Sequence, residues 1–230
     1  MTKIIRPLPA ELRLNRAKTA SFDVDAQKGF TPLCPKELPV PNGDSITGEL
    51  NTNAGFAKFR IGSKDAHSRY ALWVASSPDQ QFQPVPGAGT THPDVDIQWV
   101  LHCEVGTKGF ELLDGLPHPR DYSYFVYKGM EPDMHPYGAV FHDHAERLST
   151  GALEFMKVNG IDTVVVGGLA TDYCVKLTVL QLLKGGLRVI VNLGACRGIS
   201  ENTTDGSIDE MMQAGALFVN NASELTAHVE

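Results

Sequence analysis

The chain has 230 residues, of which 42% are hydrophobic and 20% charged, and its formal net charge is −7. Such a composition gives an ordinary globular protein with an ample core, of natural size for one domain over 1–230. The acidic balance excludes a protein that tracks a nucleic-acid backbone, and no run reads as a transmembrane segment or as the apolar core of a signal peptide. Cys34, Cys103, Cys174 and Cys196 are widely spaced with no C-x-x-C pair, a pattern of reduced thiols that makes the cytoplasm the expected location.

In chain order, 1–18 reads as an irregular lead-in with one helical turn over 10–14. A first strand follows over 19–24 and ends in D-A-Q-K-G-F, which puts Asp25 where the strand leaves the sheet. The proline-rich piece 31–43 is loop. A short helix is expected over 44–51, capped by Asp44 or Ser45, and a second strand over 58–62. Residues 77–96 form a Pro/Gly/Thr-rich insertion with little periodicity, the mark of a long surface or lid loop. A third strand is expected over 122–127, leading into K-G-M.

The order then becomes regular, with helix over 148–158, strand over 163–166, helix over 172–183, strand over 188–192, helix over 208–214 and strand over 216–220. Alternation of this kind implies an α/β fold with a parallel sheet between two layers of helices. The stretch V-V-V-G-G-L-A-T-D-Y-C-V (164–175) is the most informative. Its valines are apolar on both faces, as in a fully buried strand. The glycines break it, and Thr171 and Asp172 start a helix. Cys174 thus falls in the first turn of a helix at the sheet edge where ligands bind, a setting expected to favour its thiolate. A lone cysteine is ordinarily a small buried hydrophobe; the strand–glycine–helix context distinguishes this one.

Asp25, Lys128 and Cys174 each follow a predicted strand, so the three converge on one edge. A free thiol is only a few per cent thiolate at neutral pH. Asp25 would take its proton, and a lysine between the two anions would offset their repulsion. Asp65 and His67 form a D-x-H pair whose side chains point the same way in extended chain. His102 is chosen as their third metal ligand; His142 and His144 form a competing pair and His92 offers a fourth ligand. An Asp/His/His set leaves positions open and admits zinc, iron or manganese, zinc first. Phe30 and Trp99, the aromatics nearest to Asp25 and His102, are placed to sandwich a flat ring.

Together D-A-Q-K-G-F, S-K-D-A-H, W-V-L-H-C-E-V-G-T-K-G, Y-K-G and G-G-L-A-T-D-Y-C-V resemble, in order, the isochorismatase-like cysteine hydrolases, over about 21–220. The resemblance implies a six-stranded, mostly parallel sheet in an α/β/α sandwich, often assembled into homo-oligomers. It implies Asp25, Lys128 and Cys174 as catalytic triad, Asp65, His67 and His102 as ligands of one divalent metal ion, and Phe30 and Trp99 as ring-stacking residues. It further implies a cis peptide at Leu169–Ala170 that aims the N–H groups of Ala170 and Cys174 at an oxyanion. The implied activity is hydrolysis of nicotinamide, with pyrazinamide as a close analogue, to the acid and ammonia through a cysteine thioester. Two alternatives stand beside it: a metal-independent relative acting on a carbamoyl or ureido amide, and a catalytically silent metal- or ligand-binding partner protein. The chain departs from the family at Lys28-Gly29, usually Asn-Asp, at Ala66, commonly tryptophan, and in the insertion 77–96.

Overall fold

The valine run becomes the middle of a six-stranded sheet in a computed structural model that describes residues 12–228. The strands are β2 (Thr19–Val24), β3 (Phe59–Asp65), β4 (Tyr124–Lys128), β5 (Thr163–Leu169), β6 (Arg188–Arg197) and β7 (Leu217–Val219), and their spatial order is β4-β3-β2-β5-β6-β7. Every neighbouring pair is parallel. Parallel strands joined by crossovers are covered on both faces, which is why β2 and β5 are buried at every position.

Side chains alternate between the two faces. Val164 and Val166 join Phe22, Val189 and Val191 in a core shared with α2 (Ala152–Val158), α3 (Lys176–Lys184) and α4 (Glu201–Gln213). Val165 and Ile190 point the other way, toward Leu14, Val219 and Leu225. The helix α1 (Thr47–Gly55) also packs on that second side, against β6 above all. The expected three layers are therefore present. Among the described residues no helix is long and apolar enough to cross a membrane.

Several boundaries differ from the sequence reading. Residues 10 and 11 of the expected helical turn lie outside the described residues. Leu12 has 3-10 conformation, while Arg13 and Leu14 belong instead to a short strand, β1 (Arg13–Asn15), paired in parallel with β8 (Thr226–His228). Asp44 and Ser45 form a 3-10 turn, and α1 starts at Thr47 without a side-chain cap. Helix α2 starts only at Ala152, because Gly151 at φ 84° breaks the helical backbone before it. Strand β6 runs on to Arg197 through a register shift opposite Val166–Gly168. The helix expected over 172–183 opens as a π turn, Thr171–Val175, before α3 continues it. The insertion 77–96 holds one 3-10 turn and the bridges Pro84–Ile97 and Ala88–His92, and is otherwise irregular.

Candidate active site

Parallel strands end on one edge, and four neighbouring strands each deliver one reactive group there. Lys128 is the last residue of β4 and Asp65 the last of β3, and the two are register partners. Asp25 follows the end of β2 in a left-handed conformation (φ 44°) that turns the chain out of the sheet. Cys174 sits in the π turn after β5. The Lys128 ammonium stands 3.1 Å from Asp25 Oδ2 and 3.7 Å from Cys174 Sγ, donates to the Pro136 carbonyl at 3.1 Å, and bonds Asp65 Oδ1. Asp25, Asp65 and Cys174 each bring a ligand atom within 4.8 Å of the other two. Three predicted residues from distant segments thus meet, with Asp65 as a fourth.

Two side chains that the sequence reading did not single out fix this edge. Ser63 Oγ donates to Asp25 Oδ1 at 2.6 Å and accepts the Asp25 N–H. Gln27 clamps Asp65 through both halves of its amide: Nε2 donates to the Asp65 carbonyl and Oε1 accepts the Asp65 N–H. The D-A-Q and S-K-D motifs hold one another.

Burial dominates the electrostatics. It pushes the Asp25 carboxyl up to about 6, with Lys128 pulling down against it and the Asp65 charge adding to the rise. It also opposes the Asp65 charge, but the Lys128 ammonium outweighs it and holds that carboxyl well below the usual range. Lys128 is raised well above its ordinary value, since Asp25 and Asp65 overcome the burial that opposes its charge. Burial pushes the Cys174 thiol up in spite of Lys128. The expected thiolate gives way to a thiol, because desolvation exceeds the pull of Lys128, and it stands beside a carboxyl raised to about 6.

Beside this group His67, His102 and His135 present ring nitrogens within 4.8 Å of one another, all buried. The Gly129 carbonyl accepts from His67 Nδ1 at 3.1 Å and the Val100 carbonyl from His102 Nδ1 at 2.7 Å. A carbonyl only accepts, so in each neutral ring the proton is on Nδ1 and Nε2 keeps its lone pair. His67 Nε2 has no hydrogen-bond partner and lies 3.4 Å from Asp65 Oδ2. Two acceptors facing each other in a buried site are satisfied by a cation between them, and carbonyl-oriented imidazoles are the usual surroundings of such an ion. The residues present thus fit a divalent metal. His102 is held neutral by burial, with its pKa lowered to about 3. Of the other candidates, His144 Nε2 bonds the His135 carbonyl, and neither His92 nor His142 belongs to the cluster. His135 had no signal in the sequence, because it lies in an irregular segment.

Asp65, His102, His135 and Cys174 open onto a small cleft walled by Phe30, Trp99, Tyr137 and Tyr173. Both expected ring-stacking residues are there. Phe30 packs on His102 at 5.2 Å between ring centres, and Trp99 stands edge-on to Tyr173 at 4.9 Å. Trp99 Nε1 donates to Tyr137 Oη at 3.0 Å, and Tyr137 Oη donates to Asp96. The end of the insertion thereby braces the cleft wall. The Leu169–Ala170 peptide is cis, and the Ala170 carbonyl accepts the N–H groups of Tyr173 and Val175.

The departures from the family pattern have local reasons. A side chain at Gly29 would meet Glu37 Oε2 at 2.4 Å and Cys103 Sγ at 2.7 Å. Lys28 turns to Glu111 and Asp114, at 2.8 and 2.9 Å, and does not line the cleft. Ala66 supplies no indole, and the buried indole beside these rings is that of Trp73, 4.5 Å from the His67 ring and 4.3 Å from that of His135. All four cysteines are free.

A model of the isochorismatase domain matches residues 90–223. The chain is 30% identical over 217 residues to the nicotinamidase of Acinetobacter baylyi, covering 94% of this chain and 99% of that protein. It is similar in structure to the nicotinamidase and pyrazinamidase of Acinetobacter baumannii, with TM-score 0.78 and 27% identity over 90% of this chain and 98% of that one. The pyrazinamidase of Pyrococcus horikoshii, solved in complex with zinc, is similar at TM-score 0.67 and 25% identity, over 88% and 98% of the two chains.

Proposed function

Because the chain belongs to the isochorismatase family, we propose that it is an amidohydrolase converting nicotinamide to nicotinate and ammonia, with Asp25, Lys128 and Cys174 carrying the chemistry. The observation behind this assignment is the approach of the Lys128 ammonium to both the Asp25 carboxylate and the Cys174 sulfur, at 3.1 and 3.7 Å, with Cys174 lining a cleft walled by Phe30 and Trp99.

The pyridine ring enters between Phe30 and Trp99, with the carboxamide toward Cys174. Asp25 takes the Sγ proton as sulfur attacks the carboxamide carbon, so the thiolate exists only as the new bond forms. Lys128 keeps its proton and offsets the charge of Asp25, Asp65 and the developing sulfur anion. The N–H groups of Ala170 and Cys174 receive the carbonyl oxygen as it becomes an oxyanion; one such donor lowers a barrier of this kind by about 3 kcal/mol. Asp25 gives its proton to the departing nitrogen, which leaves as ammonia, and a thioester remains. Asp25 then takes a proton from water, the hydroxyl adds to the thioester carbon, and the proton returns to sulfur as nicotinate leaves.

Asp65, His67 and His102 hold a divalent ion, zinc by the imidazole-rich donor set and by the zinc found in the similar Pyrococcus protein. When bound, the ion supplies a Lewis-acidic anchor for the ring nitrogen or for a water that bonds it. Pyrazinamide presents the same carboxamide and ring nitrogen, and the same cleft accepts it.

Ammonia release from nicotinamide tests the assignment. The wild-type protein turns the amide over, whereas Cys174→Ala abolishes turnover and keeps its metal content. Near-normal activity in that variant would remove Cys174 from the reaction, and a wild type inert on nicotinamide but active on a ureido compound would replace the substrate.

A further inference from the structure

Resting on the metal-binding reading above, we propose that His135 is a third imidazole ligand of the ion, so that this site has one more nitrogen donor than the D-x-H pair and His102 provide. His135 is nine-tenths or more buried, and its Nδ1 has no hydrogen-bond partner. A buried polar nitrogen without a partner is costly, and coordination removes that cost. One of its ring nitrogens lies within 4.8 Å of donor nitrogens on both His67 and His102. The three rings also pack as a set around one indole, with Trp73 at 4.5, 5.3 and 4.3 Å from His67, His102 and His135.

The chain around His135 is built to keep it there. Its N–H donates to the Asp94 carbonyl at 2.7 Å, and its carbonyl is bonded by His144 Nε2 at 2.9 Å. Asp94 Oδ1 in turn accepts the His144 N–H at 3.0 Å. The next residue, Pro136, offers its carbonyl to Lys128. Asp94 belongs to the insertion 77–96, so the extra segment buttresses the extra imidazole. Asp65 meanwhile shares one oxygen with Lys128, which leaves it a single oxygen for the ion. A third nitrogen donor compensates for that divided carboxylate.

The test is made on the full chain, stripped with a chelator and reloaded with Zn²⁺. X-ray absorption of the zinc-loaded wild type should show scattering from three imidazoles; two would overturn the proposal while leaving the metal reading intact. Zinc affinity, measured by competition with a chromogenic chelator, should fall at least about 100-fold in His135→Ala, beyond the 10- to 100-fold typical of losing an outer-shell partner. An affinity equal to wild type would also overturn it. Unfolding of the metal-free forms is the control: wild type and variant should melt together without zinc and separate with it. A variant that fails to fold leaves the decision to the wild-type absorption data. If the wild type takes up no zinc at all, the metal reading itself is lost, and this proposal goes with it.

Discussion

Lys128 Nζ and Asp25 Oδ2 lie 3.1 Å apart with no exposure on either side chain, and the Cys174 sulfur completes the contact 3.7 Å from the same ammonium. A single buried cation thus touches the proposed base, the proposed nucleophile and, through Asp65, the edge of the candidate metal site.

Replacing that cation is correspondingly severe. Lys128→Met leaves Asp25 and Asp65 facing each other without a counter-charge, and removing one partner of a buried pair costs about 3–5 kcal/mol. Chemical denaturation should register a loss of that size together with the loss of turnover. A variant as stable as wild type would mean that the two carboxylates do not depend on Lys128.

The rate should follow the ionisation of Asp25. Its carboxyl is raised to about 6, and only the ionised form accepts the thiol proton. Below pH 6 the protonated fraction grows, so kcat/KM should fall about tenfold per pH unit, and above it the acid limb should level off. A profile flat down to pH 5 would show that another group is the base.

Phe30 should act on binding more than on chemistry. Phe30→Leu keeps an apolar side chain but removes the ring face, and an aromatic pair is worth about 0.5–1.5 kcal/mol beyond its burial. KM for nicotinamide should rise roughly 2- to 12-fold by that measure, with kcat little changed. A fall in kcat alone would place the pyridine elsewhere.

Gly129 gives a way to disturb the metal site without touching a ligand. It has φ 69°, and a methyl group there would lie 2.6 Å from His67 Cε1 and 2.7 Å from Nδ1. Gly129→Ala should cost about 1–2 kcal/mol for its left-handed backbone and swing His67 off its carbonyl. Metal content by mass spectrometry should drop. Full occupancy would show that the ring tolerates the shift.

Removing the ion from the wild type should impair orientation rather than the nucleophile. Loss of a positioning contact costs on the order of 10²-fold in rate, and added Zn²⁺ should restore it. Full activity in protein shown to be metal-free would favour the metal-independent class of amidase.

Much of this was legible in the chain because parallel strands obey simple rules. The Val164–Val166 run announced a strand buried on both faces, and the strand ends placed Asp25, Lys128 and Cys174 on one edge. Asp65 belongs to the same logic: β3 reaches it as β4 reaches Lys128. His135, Tyr137 and Trp73 lie in irregular segments, where no periodicity says which way a side chain points. The state of Cys174 was misjudged for a different reason. The helix start and Lys128 were visible in the sequence, but the depth of burial that outweighs the lysine was not.

A sulfur that rests protonated has one more consequence. Peroxides and alkylating agents consume thiolates and largely ignore thiols. On the proposed mechanism, in which the anion forms only when an amide carbon is there to receive it, Cys174 would stay out of the side reactions that destroy permanently ionised cysteines. The burial that raises the thiol would then also protect it between turnovers.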